Sequence, residues 1–139
     1  MATTTATITL TSSDIADNAL SLSNTMEMTT AGTTTGITET TGLARKKVAS
    51  SSLADLITVA NTDVTAAKSA KVYIKNTGTD STKYGLIGIG DSSGTPIYLG
   101  RLYGGDWMLF PWDANSGEDI TLTMSDTTET VIEYMVFFE

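Results

Sequence analysis

The side chains able to do chemistry in this chain are carboxylates, hydroxyls and one short basic run, because its 139 residues contain no His and no Cys. Imidazole bases, thiolate nucleophiles, disulfides and zinc sites of the Cys/His kind are therefore excluded together. The densest spacing of oxygen ligands is "DANSGED", residues 113–119, where Asp113, Asn115 and Asp119 alternate around Gly117 like the first half of a calcium loop. A hard cation takes about six to eight oxygens, and no bidentate acid closes this set. Turns select the same residue types, so a polar turn is the preferred reading. The carboxylates Asp106, Asp113, Glu118, Asp119 and Glu133 are the raw material of a glycosidase, yet nothing in their spacing fixes a pair at the separation that chemistry requires. No catalytic, cofactor-binding or metal-binding residue is assigned, and the chain is expected not to be an enzyme.

Aromatic chemistry is concentrated in "GRLYGGDWMLFPWD", residues 100–113, which holds both tryptophans. Gly104 and Gly105 suit a two-residue type I′ turn, which places Tyr103 opposite Asp106 in a hairpin. Counting back puts Leu102 opposite Trp107, Gly100 opposite Leu109 and Tyr98 opposite Pro111 on one face. Arg101 then meets Met108, Leu99 meets Phe110 and Ile97 meets Trp112 on the other. Both faces are apolar, so this hairpin is expected to be covered once by its own core and once by another surface. Pro111 marks a sheet edge or a strand end. The interface candidates are Tyr98, Arg101, Tyr103, Trp107, Met108, Phe110 and Trp112, with core packing as the plainer reading of the same residues and ligand stacking as a third. The basic run Arg45, Lys46 and Lys47 is added as a candidate for docking acidic surface, against the plainer reading of a solvated run.

These residues need elements to position them, and the sequence supplies strands. Alternation or apolar content bounded by turn residues predicts strands over 55–60, 71–76, 83–90, 96–103, 106–112, 119–125 and 130–138. Over 52–60 a capped helical turn fits the residues as well, and the strand is preferred. Many short strands at regular spacing predict an all-β, antiparallel sandwich or jelly-roll-like single domain. The first 50 residues differ in character: they are crowded with Thr and Ser and contain none of the ten aromatics. Leu20, Leu22, Met26 and Met28 nevertheless share one parity, and Ile8 and Leu10 do the same in their own run, as in strands. Residues 1–50 are therefore expected to form an extended arm or edge strands, and residues 51–139 the sandwich.

Eight Lys plus Arg stand against 16 Asp plus Glu, a net charge of −8, which is the wrong sign for phosphate backbones. No nucleic-acid partner is expected. The start lacks a basic n-region with an apolar h-region, and no stretch approaches about 18 apolar residues. No membrane partner is expected either, and synthesis in the cytoplasm without export is the reading.

The runs "KVYIKNTGTDSTKY", "GRLYGGDWMLFPWD" and "TVIEYMVFFE", with the Thr-rich start "MATTTATITLTSSDIADNALSLS", resemble the small virion structural proteins of tailed bacteriophages, particularly those infecting marine bacteria. The resemblance covers most of the chain and carries no functional residue across. It implies a non-enzymatic, all-β component of the virion, assembled in the host cytoplasm and present in many copies. The leading expectation is a capsid decoration or cement protein that bridges major capsid subunits; the alternative is a tail, neck or fibre-associated subunit, including one that touches host glycans. Expected partners are the major capsid protein or other virion proteins, and sister copies in a homo-oligomer.

Overall fold

The computed structural model describes residues 4–13, 20–28, 39–49, 51–59, 68–115 and 117–138. The protein is all-β and its strand pairs are antiparallel. It divides into two compact units, one ending at Thr38 and the other spanning Glu39–Phe138.

The first unit is a hairpin of β1 (Thr4–Ser12) and β2 (Leu20–Met28), paired without slip from Thr4↔Met28 to Ser12↔Leu20. Strict alternation divides its faces. Thr5, Thr7, Thr9 and Thr11 lie opposite Glu27, Thr25, Ser23 and Ser21, and the Thr7 and Thr25 hydroxyls hydrogen-bond at 3.1 Å. The other face carries Ile8, Leu10, Leu20, Leu22 and Met26.

The second unit contains β3 (Glu39–Thr40), β4 (Ala44–Val48), β5 (Ala54–Ile57), β6 (Lys68–Asn76), β7 (Tyr84–Ile89), β8 (Ile97–Tyr103), β9 (Trp107–Ala114), β10 (Ile120–Met124) and β11 (Thr130–Phe138). The short β3 and β4 pair with successive parts of the same edge of β11, around Gly42 at φ 68°, and act as one interrupted strand. One sheet then runs β4-β11-β6-β9 and the other β5-β10-β7-β8. Apart from the β7–β8 hairpin, every connection from β4 onward passes from one sheet to the other. Eight strands in this order form a double-sheet jelly roll.

The core fills the space between the sheets. Ala70, Val72 and Ile74 of β6, Trp112 and Ala114 of β9, and Ile132, Val136 and Phe138 of β11 meet Ile87, Leu102, Ile120, Leu122 and Met124 from the other side. Inward residues in each strand alternate with outward ones, which is why the period-two reading located the strands. Their ends differ from the expected ones by no more than three residues. Over 52–60 the chain forms the strand Ala54–Ile57 and not a helical turn; Ala60 lies outside the described residues.

Two expectations need correction. Strands β8 and β9 are not a hairpin: β8 pairs with β7, and β9 with β6 in the opposite sheet. The Asp106 N–H donates to the Tyr103 carbonyl at 2.9 Å, so the four-residue turn exists, but of its two glycines only Gly105 has a positive φ, 92°. That is the type II pattern, which splays the flanking strands instead of pairing them. Gly104 is required for another reason: a Cβ there would sit 2.6 Å from the carbonyl oxygen of Asp80. The division of the chain also falls before residue 39 and not near 50. Residues 39–48 supply the edge strand of the β4-β11-β6-β9 sheet, with Val48 buried in the core. Pro111 does lie on an edge strand, β9, where its missing N–H disrupts no inner ladder.

Candidate interaction surface

The jelly roll distributes the candidate residues over several surfaces. Met108, Phe110 and Trp112 alternate inward along β9 and pack on the core, and the indole Nε1 of Trp112 donates to the Glu118 carbonyl at 2.7 Å. They are folding residues. Trp107, of opposite parity, is 50% exposed while Trp112 is 3% exposed. Its ring stands 6.4 Å from that of Tyr73 on the outer face of the same sheet.

Arg101 and Tyr103 belong to the β5-β10-β7-β8 sheet. The Arg101 guanidinium lies 4.5 Å over the Tyr84 ring, which meets Tyr103 edge-on at 5.3 Å. Interaction with the neighbouring tyrosines raises the pKa of Arg101 further above its ordinary value, the hydrogen bond to Tyr103 being the largest cause. This cation is held flat against aromatic surface at the end of β8.

Among the described residues, the rest of β8 has no second strand beside it. It ends the strand order of its sheet, and Ile97, Tyr98 and Leu99 are 75%, 49% and 44% exposed. A register shift between Ile87 and Gly88 interrupts the β7–β8 ladder near Leu99. Ile97 and Leu99 are absent from the sequence-derived candidates, which kept their inferred partners Trp112 and Phe110 instead.

On the outer face of the β4-β11-β6-β9 sheet, Trp107 and Arg45 are among the sequence-derived candidates and their neighbours are not. Cross-strand rows bring Leu109, Tyr73 and Met135 together, with Pro111, Lys71 and Phe137 on one side and Trp107, Lys75, Glu133 and Arg45 on the other. The tyrosine hydroxyl of Tyr73 is pushed above its ordinary pKa by burial first, then by the charge and hydrogen bond of Glu133. The apolar outward parity of "TVIEYMVFF" and of Trp107, Leu109 and Pro111 was the available signal.

The basic run serves the jelly roll itself. Arg45 pairs with Glu133 at 2.9 Å, Lys46 Nζ donates to the Asp55 carbonyl at 2.7 Å, and Lys47 pairs with Glu129 at 2.8 Å. Lys46 thereby ties β4 to β5 across the edge of the sandwich.

Of the oxygen-rich turn and the scattered carboxylates, Asp119 and Asp106 are similarly engaged. Asp119 Oδ1 accepts from the Val59 N–H at 2.8 Å and its carbonyl from the Gly90 N–H at 2.8 Å, while Gly117 has φ 85°. Asp106 Oδ2 accepts from the Tyr103 N–H at 3.0 Å. Ser116 of the turn lies outside the described residues. Among those described, no group of three or more acidic side chains is placed to hold a metal ion.

No protein-family profile matches the chain, and a search of curated proteins gives no significant match.

Proposed function

We propose that this protein is a virion structural subunit of a tailed bacteriophage, and that it acts as a capsid decoration or cement protein bridging major capsid subunits. The observation that carries the reading is β8. A strand with unpaired backbone groups and three exposed apolar side chains in succession is a template for another chain, and proteins that avoid such contacts blunt their edges with charge or proline. Here the one charge, Arg101, is drawn onto the Tyr84 ring, and Pro96 precedes the strand without interrupting it. The sequence resemblance supplies the particle. The jelly roll agrees with it at the level of fold analogy, since viral capsid domains use this architecture among others. The role is mechanical: the subunit adds buried area between neighbours on a shell under internal pressure, and it performs no reaction.

Quantitative mass spectrometry of purified particles tests the proposal. Copies in the hundreds per particle are expected; a few to a dozen would move the protein to the tail, and its absence would overturn the reading.

A further inference from the structure

We infer that the β1–β2 hairpin is a homodimerisation element, whose apolar face packs against the same face of a second copy. The inference adds a self-contact to the assembly role proposed above, and it stands or falls without the particle.

A two-stranded hairpin is at best marginally stable in water, and it needs its apolar face covered. Ile8, Leu10, Leu20, Leu22 and Met26 are between 38% and 51% exposed. Five large side chains on one face of two nine-residue strands form a patch that an isolated chain leaves wet.

Two features of the hairpin select a second copy as the occupant. The first is charge. The chain carries a net charge of −8, so most of its surface repels its own copies. Among the described hairpin residues Glu27 is the one charged side chain, and it lies on the Thr/Ser face opposite Thr5. The apolar face is where two copies meet without opposing charges.

The second is shape. The rows across this face are Thr4/Met28, Ala6/Met26, Ile8/Asn24, Leu10/Leu22 and Ser12/Leu20. Small side chains occupy β1 opposite the exposed Met26 and Leu20, while Met28 at the end of the face is already buried. A two-fold axis parallel to the strands lays every row on itself with the strands exchanged. Ala6 then faces Met26 of the second copy, Ser12 faces its Leu20, and Leu10 faces its Leu22. Long side chains fill the spaces left by small ones, as facing sheets require when they pack about 10 Å apart. In the central row the same operation sets Ile8 of each copy against the shorter Asn24 of the other.

Sedimentation equilibrium of the full chain tests this. The protein is expected to be a dimer, and Leu10→Lys or Leu22→Lys is expected to weaken association on the order of a hundredfold by burying unpaired charge. Both tryptophans lie in the jelly roll, so their unchanged fluorescence shows that this unit remains folded, and far-UV circular dichroism equal to that of the parent shows that the hairpin does. The chain has no cysteine, so Ala6→Cys and Met26→Cys report register. Mixed, the two variants are expected to crosslink between chains far more than either alone. A monomer at all concentrations, or a dimer unaffected by both lysine substitutions, would overturn the inference.

Discussion

The side-chain Nδ2 of Asn76 donates to the main-chain carbonyl of Leu102 at 3.0 Å, so a buried amide on β6 holds the backbone of β8 in the opposite sheet. Its Oδ1 accepts from the Gly78 N–H at 2.9 Å, and its own carbonyl and N–H pair with Gly105 and Asp106 in the turn that leads to β9. One residue thereby fixes where the chain crosses between sheets. A buried amide in this position is stable because both ends of its side chain are satisfied.

Replacing Asn76 by Leu, which keeps the bulk, leaves the Leu102 carbonyl and the Gly78 N–H without their partner. The expected loss is about 2–3 kcal/mol of folding stability. Urea denaturation followed by tryptophan fluorescence measures it, and a loss below about 0.5 kcal/mol, the range of ordinary surface changes, would show that the crossing is held elsewhere.

The two tryptophans are expected to separate cleanly. Trp112→Ala opens a cavity among Ala70, Ile89 and the inward β9 residues and removes the Nε1 hydrogen bond, with an expected cost of roughly 3–5 kcal/mol. Trp107→Ala removes a half-exposed ring from the outer face, and its expected cost is below about 1.5 kcal/mol. Equal losses in denaturant titrations would contradict the inward and outward assignment of β9.

Acid should weaken the protein through three turns of one design. Asp80, Asp91 and Asp126 each accept the main-chain N–H two residues on, from Thr82, Ser93 and Thr128. All three carboxyls are held below their ordinary pKa: Asp80 chiefly by the Thr82 hydroxyl, Asp91 by the Ser93 N–H, and Asp126 by Lys83, its ion-pair partner at 2.8 Å. The folded state therefore binds these protons more weakly than the unfolded chain. Their contribution is complete above the ordinary carboxylate range and is lost as pH falls below about 4. Melting temperatures measured from pH 6 to pH 2 should drop in that window, and Asp126→Asn should flatten the drop.

The β8 edge is expected to be dispensable for folding and needed for attachment. Leu99→Lys places a charge on an exposed strand, so stability should change by less than about 0.5 kcal/mol, while a partner strand is repelled. Rebinding of the variant to particles stripped of the native protein should be lost. Rebinding at native strength would remove β8 from the proposed interface.

The strands were legible because turn chemistry and alternation are local. "DST", "DSS" and "DTT" each open a turn in which the Asp side chain caps the main chain, and the strands between them keep period two. The partners of β8 and β9 were not legible. A Gly-Gly pair fits a type I′ turn and a type II turn equally, and the deciding contact, the close approach of Asp80 to Gly104, comes from 24 positions earlier in the chain. Strand β4 was hidden for a different reason. In "ARKKV" only Val48 is buried, and three cations paired with Glu133, the Asp55 carbonyl and Glu129 look, in sequence, like a solvated tail.

Truncation separates the two units and tests that reading of β4. Removing residues 2–38 deletes the hairpin and leaves every strand of the jelly roll, so the product should be soluble, should melt near the full-length temperature, and should no longer dimerise. Removing residues 2–48 deletes β3 and β4 as well. That takes Val48 from the core, releases Glu133 and Glu129 from Arg45 and Lys47, and strips the ladder from one edge of β11, from Thr130 to Tyr134 and again at Phe137 and Phe138. Ile132, Val136 and Phe138 would then sit on an open edge strand of the core sheet. The longer truncation should therefore unfold or aggregate at temperatures where the shorter one is native, as circular dichroism and sedimentation would show. If both truncations melt alike, β4 is an appendage and the division of the chain lies beyond residue 48.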